Sequence, residues 1–394
     1  MRISVFASQA LLTGLGFAFT HPGLLHTGAD FERVVAKVKA NSEPWKTGWT
    51  ILTSNSHASA TYKASPQATV IRGTCDGCAS ENYSKLFNDA AAAYALALRW
   101  KISGDTSFAD TGKSILDAWA STLKVINGTS DKFLASGIYG YQLANAAEVL
   151  RSYSGWPASN FNALSTMLVS VFYPMNHAFL VNHNGATIDH YWANWDLANI
   201  ATMQAIGVLS DNQTMYNEAV NYFKTGAGNG ALPKAIWKLY TESGSTKGLG
   251  QNQEAGRDQG HATLDFSLLG VIAQQSYNQG DDLFGYLSNR ILAGSEYCAK
   301  YNVNKTVPYA TYTNSDVTQT IISNASRGTV RPAWELLYAH YSSLKGLNAS
   351  WTGKMRDYVV EQSGGAEGGG GNYGSTSGGF DQLGYGTLMY RLDA

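Results

Sequence analysis

At 394 residues the chain can form one large domain or two ordinary ones, with a sizeable core in either case. A net charge of −1 and the lack of any basic block argue against nucleic acid as a partner. Charged residues make up only 14% of the chain, against about 25% in an ordinary soluble protein, while aromatics reach 12% with 10 Trp and 23 Tyr. Such rings suit a large aromatic core or a carbohydrate cleft, where flat sugar faces stack on them.

The chain opens with Arg2, an apolar stretch from Ile3 to Phe19, and the small residues Ala18 and Thr20. This pattern reads as a secretory signal peptide over residues 1–20, followed by one domain over 21–394. No later segment looks long and apolar enough to span a membrane, so a membrane partner is not expected. N-x-S/T sequons at Asn82, Asn127, Asn212, Asn304, Asn324 and Asn348 fit a secreted glycoprotein. Cys75 and Cys78 can close a small disulfide loop in that compartment; two cysteines are too few for zinc, and Cys298 is left over as a small apolar residue.

From about Asn88 onward the apolar spacing is helical. "NDAAAAYALALRWKISG" and "SFADTGKSILDAWASTL" form a hairpin joined at Gly104-Asp105-Thr106, and "YQLANAAEVLRSYSGWP" ends on Gly and Pro. Further helices follow through "FNALSTMLVSVFYPMNHAF", "NWDLANIATMQAIGVLSD", "QTMYNEAVNYFKTG" and "GHATLDFSLLGVIAQQSYNQG". "DDLFGYLSNRILAGSEYCAKYN", "RPAWELLYAHYSSL" and "WTGKMRDYVVEQ" complete the set. Strand-like alternation is scarce, so the class is all-α, with short-loop helix pairs set around an axis as a complete or incomplete α/α toroid. The Gly-rich "SGGAEGGGGNYGSTSGGFDQLGYGT" is expected to fold against the body rather than act as a linker.

Four clusters carry chemistry. In "GQNQEAGRDQGHATLDF", Glu254, Arg257, Asp258, His261 and Asp265 fall at helical spacings and are expected on one side of a single helix. They can be a buried ion-pair network or a charge-handling site. Asp258-x-x-His261 is not a metal motif, and no metal is expected. "NHNGATIDHYWANWDLAN" gathers His190, Tyr191, Trp192, Asn194 and Trp195 at a loop-to-helix entry, with Asp189 and Asn194 as candidate caps. Tyr297 and Tyr301 share a helical face and Tyr309 follows in a Pro-stiffened loop. Arg327 and Arg331 precede a helix begun by Pro332.

Asn, His, Arg and Tyr together suit elimination across a uronic acid ring. The C5 proton lies α to a carboxylate and is barely acidic until that carboxylate is neutralised. An amide and a guanidinium can neutralise it, and a tyrosine whose hydroxyl is made more acidic by nearby cations can move the proton. No cofactor is required. A glycoside hydrolase would need two opposed carboxylic acids, for which Glu254, Asp258, Asp265 and Glu335 are the candidates. A non-catalytic carbohydrate-binding protein is the third reading.

"GQNQEAGRDQGHATLDFSLLG", "NRILAGSEYCAKYNVNKTVPY", "RGTVRPAWELLYAHY" and "SGGFDQLGYGTL" resemble the alginate lyase superfamily of polysaccharide lyases. "ANWDLANIATMQAIGV" and the "DAAAAYALALRWKISGD" hairpin resemble it too, so the likeness runs from about Phe31 to the end. The resemblance implies an α/α toroid whose cleft binds a β-1,4-linked uronan, such as polymannuronate or glucuronan, and cuts it by β-elimination. It assigns Asn194 as the neutralising amide, Arg257 and His261 to the basic helix, and the catalytic tyrosine to Tyr297, Tyr301 or Tyr309, of which Tyr301 and Tyr309 are better placed. His190, Tyr191, Trp192, Trp195, Tyr297, Arg327 and Arg331 become substrate-binding candidates. Where toroid alginate lyases carry Asn-Asn-His before a Tyr-Trp pair, "IDHYW" stands here, so His190 or His261 fills the histidine role. A monomer acting on an acidic polysaccharide is expected.

Overall fold

Gly104 takes φ 78°, a left-handed turn that suits a residue without a side chain, and Asp105 then accepts the Ser107 N–H to start the next helix. The hairpin so formed is the repeating unit of the molecule. The computed structural model describes residues 18–241 and 247–392; the leader expected over 1–20 lies almost wholly outside them. In chain order the helices begin with α1 (Gly28–Lys39), α2 (Trp45–Ser54), α3 (Tyr83–Ser103), α4 (Thr106–Thr122) and α5 (Lys132–Leu150). Next come α6 (Ala158–Met167), α7 (Tyr173–Asn182), α8 (Ala193–Leu209), α9 (Gln213–Thr225) and the short α10 (Leu232–Ala235). The last are α11 (Gln259–Tyr277), α12 (Tyr286–Asn302), α13 (Trp334–Tyr338), α14 (Ser350–Gln362) and α15 (Gly386–Tyr390).

Helices α3, α5, α8 and α11 stand side by side as an inner wall, with α4, α6, α7, α9 and α12 packed behind them. Helices α13, α15 and α1 carry the wall back to α3, and one continuous apolar core runs from Leu24 to Met389. This is an α/α toroid. From Phe133 to the end of α5, and throughout α8, every residue is buried. A helix apolar nearly all round belongs in an interior, and several of the polar side chains on these two are paired within it. Asn145 donates to Gln275 at 3.0 Å and Gln275 to Gln204 at 2.7 Å, which ties α5, α11 and α8 together near their C-terminal ends.

Strands are few and serve the inner helices. β1 (Thr69–Arg72) pairs in parallel with β2 (Val125–Gly128), the two leading into α3 and α5. β3 (Ile236–Thr241) pairs antiparallel with β4 (Gly248–Asn252), which delivers the chain to α11, and β5 (Tyr312–Thr313) pairs with β6 (Thr318–Gln319). The main-chain N–H groups of Ala193 and Asn194 at the start of α8 meet Gln253 and Glu254 just before α11. The N-termini of the inner helices therefore gather at one mouth of the toroid.

The Gly-rich segment folds against the body as expected. Tyr141 and Gln142 on α5 donate to the carbonyls of Asp381 and Phe380, and Asn55 donates to Gly370 O. Cys75 and Cys78 are bonded, with Cα atoms 5.3 Å apart, and Cys298 is buried.

One expectation needs correction. The continuous helical run Ala158–Gly185 is, by length and composition, apolar enough to cross a bilayer, with hydropathy 1.3. A π-helical turn over Leu168–Phe172 carries the helix on into α7, where Pro174 sits in the first turn. Leu164, Met167, Leu168, Phe172, Phe179 and Leu180 face inward on the toroid wall.

Candidate active site

The acid, base and cation stripe does not lie on one helix. β4 ends at Asn252, residues 253–257 turn, and Asp258 is the N-cap of α11 in an extended conformation (φ −168°, ψ 162°). Asp258 accepts the His261 N–H at 2.9 Å, and this cap starts the helix after Arg257 rather than before it. The turn still brings the five residues together.

Asp258 also accepts from His261 Nδ1 at 2.6 Å, which leaves Nε2 as the acceptor facing Arg257 Nη2 at 3.2 Å. Arg257 Nη1 donates to Glu254 at 2.9 Å, and its guanidinium lies 4.9 Å from the centre of the Trp192 ring. Glu254, wholly buried, accepts the Asn194 main-chain N–H at 2.8 Å on its other oxygen. Arg257 and His261 keep 23% and 40% of their side-chain surface, so the array opens to solvent at these two. Burial works to raise the Asp258 carboxyl, but hydrogen bonds from the His261 ring and main chain and the Arg257 charge hold it below the usual range.

Helix α8 has no side-chain cap of its own; neither Asp189 nor Asn194 serves. Its N-cap is Trp192, and its first N–H groups are met from across the mouth by Gln253 Oε1 at 3.0 Å and by Glu254. The Asn194 side chain is 2% exposed and its Oδ1 is buried without a partner.

The tyrosines divide. Tyr309 OH lies against Gly256, where a Cβ would come within 2.3 Å of it, and donates to Gln319 O at 3.1 Å. Burial pushes it up to about 12. Tyr312, not singled out in the sequence, accepts from Gln253 at 3.0 Å and packs at a tilt on Trp237, ring centres 5.6 Å apart. Burial and the Asp189 and Glu254 charges raise it too. Tyr297 is buried with its hydroxyl on Pro308 O, and burial raises it. Tyr301 is buried with its hydroxyl on Asn324 and Arg327 over its ring, and the residues on either side of Asn324 bond the backbone of Ala255 and Gln259. The hydroxyls of Tyr297, Tyr309 and Tyr312 are raised rather than made more acidic, contrary to expectation, with burial the largest cause at each.

The other candidates scatter. Trp195 is buried and packs on Tyr191 and Phe179. His190 sits at the rim beside Tyr191, 3.7 Å from Asp316. Arg331 is buried, donating to Gln382, Thr263 and Gly260 O. Arg327 lines a separate surface cavity of about 430 Å³ with Asn304 and Lys354. Asp381 and Arg72 were missed in the sequence. Asp381 feels the charges of Arg331, Arg72 and His261, and Arg72 lies over the Tyr83 ring at 5.0 Å. Nothing in a Gly-rich run signals a carboxylate folded back onto an inner helix.

A profile of the alginate lyase family matches residues 41–306, about two thirds of the chain, including Asn194, Arg257 and His261. The chain belongs to the alginate lyase family. It is a polysaccharide lyase. No curated protein matches the lyase in sequence. Among solved structures it is similar to an alginate lyase from Bacteroides ovatus, with TM-score 0.60, 12% identity, and 95% of this chain covering 100% of that one. It is also similar to alginate lyase A1-III from Sphingomonas species A1, with TM-score 0.53, 12% identity, and coverage of 79% and 87%. A histidine-to-alanine variant of A1-III complexed with tetrasaccharide gives TM-score 0.51, 14% identity, and coverage of 77% and 86%. At such identities the likeness is one of fold.

The carboxylates of the lyase do not make a hydrolase pair. Glu254, Asp265 and Glu335 are fully buried, Glu335 being held by Arg391 through two bonds of 2.7 Å. Of the four acids considered, Asp258 alone reaches solvent, and it is engaged by His261. Among the described residues no group of three or more His, Cys, Asp or Glu is arranged to hold a metal.

Proposed function

We propose that the lyase is a secreted enzyme that cleaves a β-1,4-linked uronan, alginate or glucuronan, at the Asn194, Arg257 and His261 cleft. The observation that carries this reading is the unbroken line Asp258–His261–Arg257–Glu254–Asn194, in which each link is a hydrogen bond of 2.6 to 3.2 Å. A uronate carboxylate entering the cleft takes the Arg257 Nη2 donor and is neutralised there beside Asn194. That exchange releases the His261 Nε2 lone pair, which Arg257 otherwise engages, and the ring is already oriented by Asp258. His261 then removes the C5 proton, the C4–C5 double bond forms, and the C4–O4 bond breaks. A tyrosine that holds its proton at neutral pH delivers it to the departing O4. Tyr309 and Tyr312 meet this need at the 253–257 turn.

The leader-like start and the exposed sequon residues Asn127, Asn304, Asn324 and Asn348 support secretion as a glycoprotein, and a monomer suffices for the cleft. The test is a panel of polymannuronate, glucuronan and oligogalacturonate, followed by ultraviolet absorbance and product mass. An unsaturated product one water lighter than its hydrolytic counterpart is expected on at least one uronan. Tight binding of every uronan with no product over long incubation would remove the proposal. Loss of product in Tyr309→Phe but not Tyr312→Phe, or the reverse, identifies the acid.

A further inference from the structure

Behind Arg257 lies a second carboxyl that the proposed chemistry does not use. Asp265, one turn beyond His261 on α11, is wholly buried and lies close enough to Glu254 to feel its charge. Its Oδ2 accepts Asn252 Nδ2 at 2.9 Å, while its Oδ1 is buried and meets no N–H or hydroxyl donor. Both oxygens of Glu254 already accept, one from Asn194 N–H and one from Arg257. Two carboxyl groups buried side by side, neither reaching water, are best served by one hydrogen between them. The oxygen still lacking one is Asp265 Oδ1.

We infer that Asp265 is a positioning residue that carries this hydrogen and donates it to Glu254, leaving Glu254 a single negative charge with which to hold Arg257 and the start of α8. Asp265 touches no substrate. It acts through Glu254, and the inference rests on the proposed role of Arg257. The groups that face the pair are Arg257 from the turn, Tyr312 from the following loop, and the Cys298 thiol on α12. Only Arg257 among these is cationic, so a second negative charge at Asp265 would pull the guanidinium back from the cleft. Burial and the Glu254 charge both favour the neutral acid at this position.

An asymmetry follows. An amide can replace a protonated carboxyl, since Asp265→Asn still donates to Glu254 and still accepts from Asn252. An amide cannot replace the carboxylate that accepts from both Arg257 and Asn194. Asp265→Asn is expected to keep kcat/KM within about threefold of the parent, whereas Glu254→Gln should lose about 100-fold or more, as for a charged partner removed from a buried network. The reverse order, with Glu254→Gln active and Asp265→Asn dead, would place the hydrogen on Glu254 and overturn the inference. Equal effects of the two amides would reduce the pair to a packing element and overturn it too.

A measurement on the free protein separates this from the substrate question. In a Glu367→Gln background, which removes another protonated buried carboxyl, infrared spectra should retain a protonated-carboxyl band through neutral pH. That band should vanish in Glu367→Gln/Asp265→Asn. Its absence from Glu367→Gln itself overturns the inference whether or not any uronan is cleaved. Its presence without lyase activity would leave the hydrogen in place and fault only the assignment of Arg257.

Discussion

The His261 ring is fixed at one nitrogen and lent to Arg257 at the other, and this double engagement defines how its loss should appear in kinetics. His261→Ala is expected to lower kcat by roughly 10²–10⁴-fold, the usual worth of a positioned general base, with a smaller change in KM. Initial rates of unsaturated-product formation across a uronan concentration series check this. A rise in KM at unchanged kcat would make His261 a binding residue instead. The sequence singled out Arg257 and His261 because charge and imidazole are scarce in so uncharged a chain, and Asn194 because it stands at the entry to a helix. It could not reveal that Asp258 is a cap and Glu254 a buried hub. At spacings of three and four residues, a turn plus a cap is indistinguishable from a helix. Trp195, Tyr297 and Arg331 were misleading for a related reason, since large polar-tipped side chains serve a core as readily as a cleft.

Helix packing around the wall depends on small residues at the tightest crossings. Where α5 meets α8, a Cβ on Gly140 would sit 2.4 Å from Thr202 Cγ2, and one on Gly137 would sit 2.9 Å from Ala198. Thr202 Oγ1 meanwhile donates to Gly137 O and accepts from Tyr141 N–H, both at 2.6 Å, so it has no freedom to move aside. Gly140→Ala is therefore expected to destabilise the protein by about 1–3 kcal/mol through overpacking, despite the better helix propensity of alanine. Equilibrium denaturation would show it, and a neutral or stabilising result would mean the two helices can part at that level. The helices themselves were readable from periodicity, as was the hairpin turn at Gly104. The continuity of the run through Pro174 was readable too, whereas α1 and α2, short pieces of 12 and 10 residues, were not.

At the scale of the molecule, the Gly-rich segment brings a titratable latch with it. Glu367 accepts the N–H groups of Trp334 and Glu335 at the start of α13, both at 3.1 Å. Burial, and secondarily the Glu335 charge, raise Glu367 from an ordinary 4.5 to about 8. A carboxyl raised on folding binds its proton more tightly in the native state, so its contribution to stability is whole below about pH 4.5. It declines as the pH rises toward 8. Glu367→Gln should flatten that slope in melting temperatures measured from pH 4.5 to 8, and an unchanged slope would exclude Glu367 as its source. The toroid was legible as a class because helical pairs with short loops leave few other architectures. The latch was not, since its two halves lie more than thirty residues apart in a run that reads as a linker.

The wall is shut by the two ends of the chain. Arg33 on α1 donates to Met389 O on α15 at 2.7 Å, and Asn278 after α11 donates to Leu24 O at 2.6 Å. During synthesis the N-terminal hairpins must therefore wait, with one flank uncovered, until α15 has been made. A ribosome stalled anywhere before α15 would present an open arc with its apolar interior bare, a natural client for chaperones in whichever compartment the protein matures.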